Sequence, residues 1–267
     1  MNKKIKVLAV FAGVTCAAAL VNKVIFNNAD KKTCKIQKPA GIINAEVFYF
    51  EWRYGRIRYI ACGEGEPLLL LHDARVGASL SDWKTIIPLL AKRYRVYAID
   101  LPGFGMSDKP RLSYSTFLYV SFINDFIKHI GEAVNVIADG ASAGFAAAGC
   151  AFCPDIYKTI IMLGSGDEKI KRAFPLLGRI IEIPVYGTLM YNILTSAASV
   201  GLRRHILSHC GGVGNKHVLS AALRNFLFVD PYRFISKIKS AHVIEKRREL
   251  LDDPRFFYKT VRKYLTE

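Results

Sequence analysis

The sixteen residues VNVIADGASAGFAAAG, 134 to 149, decide how the rest of the chain is to be read. Val134, Val136 and Ile137 form a short apolar run of the kind a strand buried on both faces requires, and it stops at Asp139-Gly140. A tight turn follows, and the small-residue run beyond it suits a helix lying close against a sheet. Gly140-Ala141-Ser142-Ala143-Gly144 fits G-x-S-x-G. In so sharp a strand-turn-helix the central residue is strained and neighbouring chains collide unless the flanking residues are small. The reading centred on Ser142 lifts its hydroxyl above the strand ends, beside a helix N-terminus whose N–H groups can hold an oxyanion.

Outward from this turn, strands alternate with helices. Val47 to Tyr54 and Arg56 to Ala61 alternate apolar and polar residues like an antiparallel pair, and Pro67 to Asp73 is a continuous apolar run. Ser79 opens a capping pattern ahead of a helical stretch with Trp83, Ile86, Ile87 and Leu90. Tyr94 to Leu101 is the next strand, and Asp100 to Pro110 a loop punctuated by glycine and proline. Tyr114 to Ile130 has helical spacing, and Tyr157 to Ser165 reads as the strand after the turn's helix. The pattern implies a mostly parallel sheet with helices on both faces and ligand-binding loops at the strand C-terminal ends.

Three motifs in order carry a resemblance to a known family: His72-Asp73 at the end of the third strand, the Asp100 to Pro110 loop, and the turn at Ser142. Over Val47 to Ser165 the chain resembles an α/β-hydrolase. The resemblance implies Ser142 as nucleophile, with oxyanion N–H groups from Ala143 and from Asp73 or Ala74. It also implies a helical cap over 167–234. One departure stands out: Asp73 replaces the glycine usual after His72, and a carboxylate there repels an oxyanion unless it points away.

The remainder of the triad is harder to locate. A serine needs a base, and the base needs an orienting acid. After Ile238 the family would supply two strands, which with their crossover take about 40 residues. Only Lys239 to Glu267 remain, so the sheet is expected to lack a C-terminal strand-helix unit. Asp167 is the best-placed acid and His242 the best-placed base by order, although His242 falls at the start of its strand, Ala241 to Ile244. Asp253-Pro254 caps the closing helix. His205, His209 and His217 belong to the cap.

Composition bounds the rest. The 267 residues carry 38 Lys and Arg against 22 Asp and Glu, a net charge of +16. That excess favours an anionic surface, and because the basic residues are scattered rather than gathered into an aromatic-laced patch, apart from Lys237 to Arg248, no nucleic-acid partner is expected. Residues 1–26 place Lys3, Lys4 and Lys6 before the uncharged run Val7 to Val21. This is a membrane signal, either a retained single-pass anchor or a cleaved signal peptide. Residues 27–45 form a lysine-rich tether, 46–166 the core, and 235–267 a shortened C-terminal core segment. The six cysteines form no framework, Cys150 and Cys153 read as core or surface thiols, and no cofactor or metal site is expected.

Two functions follow. One is a membrane-tethered serine hydrolase acting through Ser142 on a small apolar ester or acyl substrate. The other is a pseudo-hydrolase that keeps the fold and binds or scaffolds at the membrane.

Overall fold

The computed structural model describes residues 46–74, 78–164, 175–195, 216–224, 226–227, 229–244, 250 and 252–265. Its centre is a seven-stranded sheet in the order β1-β2-β4-β3-β5-β6-β7. The strands are β1 (Glu46–Trp52), β2 (Gly55–Cys62), β3 (Glu66–Leu71), β4 (Tyr94–Ile99), β5 (Val134–Asp139), β6 (Tyr157–Leu163) and β7 (Ala241–Ile244). β1 and β2 form an antiparallel hairpin, and β2 runs antiparallel to β4. From β4 to β7 all neighbours are parallel. This is a mostly parallel α/β sheet, as expected, and seven strands lie among the described residues.

Alternation along the strands divides the core between the two faces. Leu69 and Leu71 of β3 join Val134, Val136 and Ala138 of β5 on one side. Leu68, Leu70 and Ile137 face the other. Helices α2 (Thr116–Ile130) and α3 (Ala141–Phe152) cover the first face. The short α1 (Ile87–Leu90) and the closing α8 (Pro254–Leu265) cover the second, with Phe257 against Trp83. β3 and β5 are therefore buried on both sides, which is why they read as unbroken apolar runs.

Local signals hold at the helix ends. Ser115 accepts from the Leu118 N–H at the start of α2, and Gly131 ends it at φ 86°. Asp253 Oδ1 accepts from the Arg255 and Phe256 N–H groups ahead of α8. Phe117, spaced to join the α2 core stripe, stands exposed instead.

Between β6 and β7 lie α4 (Pro175–Glu182), α5 (Tyr186–Thr195), α6 (Lys216–Leu223) and the short α7 (Tyr232–Ile235). Ile181, Leu219 and Leu223 form a small core between α4 and α6. Glu182 clasps the pair, accepting from Ser220 Oγ at 2.7 Å and Arg224 Nη1 at 3.2 Å. Val218 and Ala221 on α6 reach down into the main core. A Cβ on Gly103 would meet Val218 Cγ2 at 2.8 Å, so α6 sits on the loop after β4.

Candidate functional site

β5 ends at Asp139 and α3 begins at Ala141, leaving Gly140 to make the whole turn. It does so at φ 57° and ψ −126°, a conformation that costs an L-residue on the order of 1–3 kcal/mol. The strained residue of the elbow is thus Gly140 and not Ser142. Among the described residues Val185 alone is a non-glycine with positive φ.

Ser142 is the second residue of α3 and is fully buried. Its Oγ donates to the His72 carbonyl at 2.5 Å, stitching the helix to the end of β3. That differs from the expectation of a hydroxyl raised over the sheet edge, and the reason is the frame: the turn stands two residues earlier than a motif centred on Ser142 requires. Ala143 shifts with it. Its N–H is spent inside the helix on the Gly140 carbonyl at 3.1 Å, so it does not face a ligand.

The amide directly after the turn belongs to Ala141, and it donates to Asp73 Oδ1 at 2.9 Å. A Cβ built on Gly140 would lie 2.2 Å from the same oxygen and 2.3 Å from Asp73 Cγ. The Asp73 carboxylate therefore fills the space in which a turn side chain would stand. A helix N-terminus with unsatisfied N–H groups favours an anion at this place, and the chain supplies one from its own loop. Asp73 does not point away from the cradle. Ala74 is buried in the main core.

His72 is held between two backbone groups. The Leu101 N–H donates to Nε2 at 3.0 Å, so Nδ1 carries the proton and donates to the Asp73 carbonyl at 2.7 Å. Complete burial lowers its pKa below the ordinary value, against the opposing charge of Asp100 foremost. The ring is a neutral bracket joining the ends of β3 and β4, with both nitrogens occupied.

Asp100, which the sequence marked only as part of a loop, is fully buried and serves as that loop's hub. Its carboxylate accepts from Leu80 N–H at 2.8 Å, Met106 N–H at 2.9 Å and Arg58 Nη1 at 3.4 Å. Ser107 Oγ donates to the Asp100 carbonyl at 2.6 Å and accepts from Arg58 N–H at 2.9 Å. Gly105 must lack a side chain because a Cβ there would strike that carboxylate at 2.2 Å.

The remaining candidates lie elsewhere. His242 is the second residue of β7, paired with Ile161, and its ring packs 4.5 Å from Tyr264 of α8. In the register it is level with Ile161, Ile137 and Leu70, and its ring packs on the face covered by α8, whereas Ser142 belongs to α3 on the other face. Asp167, His205 and His209 lie outside the described residues, as does the segment 1–45. No helix among the described residues is long and apolar enough to cross a membrane. Burial pushes the Cys150 thiol up to about 11, a poor state for redox or metal work. Among the described residues no group of three or more His, Cys, Asp or Glu side chains is gathered as for a metal ion.

The surroundings close over the elbow. A Cβ on Gly144 would meet the Val229 carbonyl at 2.4 Å, so the segment before α7 lies directly on the first turn of α3. Asp73 and Ser142 are both buried.

A family profile described as alpha/beta hydrolase fold matches residues 67–144. A 2-hydroxy-6-oxo-6-(2'-aminophenyl)hexa-2,4-dienoic acid hydrolase of Metapseudomonas resinovorans is 39% identical over 88 residues, which is 33% of this chain and 30% of that protein. A soluble epoxide hydrolase of Corynebacterium sp. (strain C12) is 34% identical over 93 residues, 34% of this chain and 32% of that one. The chain thus spans about a third of the length of these curated relatives, and both are hydrolases. Among solved structures, the carbazole-degradation serine hydrolase CarC superposes with a TM-score of 0.58 at 17% identity, covering 83% of this chain and 99% of that one. E-2-(acetamidomethylene)succinate hydrolase gives 0.60 at 12% identity, covering 84% and 100%.

Proposed function

We infer, for a chain that belongs to the α/β-hydrolase fold family, that it keeps the architecture of a hydrolase but works by binding, with its elbow silenced. In this fold the nucleophile occupies the strained turn residue, and the N–H of the next residue helps form the oxyanion hole. Here the turn residue is Gly140, and the next N–H, from Ala141, is taken by the Asp73 carboxylate. That contact carries the reading. Nucleophilic catalysis needs a side chain at the turn and an empty cradle beside it, and neither requirement is met. Ser142 supports the same reading, because its hydroxyl is buried and donates to a backbone carbonyl rather than to a base.

What remains is a rigid α/β core under a helical cap, a platform for a small apolar ligand or a protein scaffold. The apolar run Val7 to Val21 supports attachment of this unit to a membrane. Hydrolysis through Ser142 is the second reading, favoured by the hydrolase relatives. A fluorophosphonate probe separates the two. The expected result is no labelling of the folded full-length chain and no turnover of short-chain aryl esters. Labelling that disappears in Ser142→Ala would establish the hydrolase instead.

A further inference from the structure

The closing helix α8 turns one strongly basic face to solvent. Phe257 and Val261 sink into the core, while Arg255, Lys259, Arg262 and Lys263 are all exposed. At about 100° per residue these four fall within an arc of roughly 100°, opposite the buried pair. From Pro254 to Leu265 the helix has no acidic residue; Asp252 and Asp253 lie just before it, at its N-terminal end. Beside the helix the charge is mixed, because Glu66 as well as Arg93 and Arg262 reaches the Tyr94 hydroxyl, while Lys92 and Arg93 are both exposed. Phe256, half exposed, flanks the face.

We propose that this face of α8 is a docking surface for an anionic phospholipid bilayer. Two observations favour lipid over another polyanion. The chain carries the uncharged run Val7 to Val21 ahead of a lysine-rich tether, which brings the folded unit within reach of a membrane. The apolar side of α8 is locked in the core and cannot insert, so it offers a flat array of cations with one aromatic rim residue, suited to headgroups and not to groove readout. The inference rests on the N-terminal segment as a membrane signal and is independent of the silenced elbow.

The test uses the full chain in flotation with phosphatidylcholine vesicles, with and without phosphatidylserine, at two salt concentrations. Each basic residue at an anionic surface strengthens binding about fivefold. Phosphatidylserine should therefore tighten binding on the order of a hundredfold more for the native chain than for the triple variant Arg255→Gln, Lys259→Gln, Lys263→Gln, and the difference should shrink in high salt. Binding to neutral vesicles should be equal for the two. If the triple variant melts early by circular dichroism, Lys259→Gln and Lys263→Gln singly should each lose about fivefold. An unchanged phosphatidylserine gain in folded variants overturns the proposal. So does tighter binding of an oligonucleotide at the same salt that these variants abolish, which would make the partner a nucleic acid.

Discussion

The carboxylate of Asp73 and the missing side chain of Gly140 occupy one another's space: a Cβ at position 140 would fall 2.2 Å from Asp73 Oδ1, which already accepts the Ala141 N–H at 2.9 Å. One position has given up its side chain, and the other has moved a charged one into the gap and bound it to the helix N-terminus. Their contributions to stability should be strongly coupled.

A double-mutant cycle measures that coupling. Gly140→Ser combines an unfavourable backbone conformation with a clash and should cost about 2–4 kcal/mol in urea unfolding. In an Asp73→Gly background the clash is gone, and the same substitution should cost at least about 1 kcal/mol less. Additive costs would refute the shared space.

Ser142→Ala removes a buried hydroxyl whose partner is the His72 carbonyl. A loss of about 1–2 kcal/mol in stability is expected, with ligand binding and background ester turnover unchanged. Chemical denaturation together with an esterase assay checks both halves.

Asp100→Asn keeps shape and removes charge at the loop hub. Arg58, itself buried, loses its counter-ion, and one backbone N–H comes to face an amide NH2. A loss of about 3–5 kcal/mol is expected. A variant melting within a degree or two of the native chain would show that the hub carries little.

Stability should fall in mild acid because of His72. Burial lowers its folded pKa below the ordinary 6.5, with Asp100, Asp73 and Asp82 pulling the other way. The unfolded chain therefore binds the proton more readily than the folded one. The contribution is complete above about pH 6.5 and is lost as pH falls from there through the folded value. His217, lowered mainly by burial with Lys216 beside it, acts in the same direction. Unfolding free energies of the native chain and His217→Gln between pH 8 and 5 should both decline toward acid, and a flat profile would contradict a neutral bracketing ring.

Much of this architecture is legible in the sequence. Ala241 to Ile244 is a strand with the bounds the sequence suggested, and the Asp253 cap stands where Asp-Pro placed it. Burial on both faces makes long apolar runs, and capping is local chemistry, so both leave marks in one dimension. The frame of the elbow is ambiguous by two residues because small residues satisfy the steric pattern twice. Gly140 and Gly144 flank Ser142, while Ala138 and Ser142 flank Gly140 equally well. The boundary at Asp139 was the discriminating signal: the residue directly after the strand must absorb the reversal, and that residue is a glycine. Asp100 went unassigned because its three partners come from β2, from the start of the segment after β3 and from its own loop, a convergence that spacing does not encode.

The interlock of Asp73 with Gly140 also governs which mutational routes are open. Installing a hydroxyl at position 140 first meets a carboxylate, and clearing position 73 first strips the helix of its internal counter-charge. Neither order offers a neutral intermediate, so placing a hydroxyl at this turn requires two coordinated changes, and the pair holds itself in place as if by a ratchet.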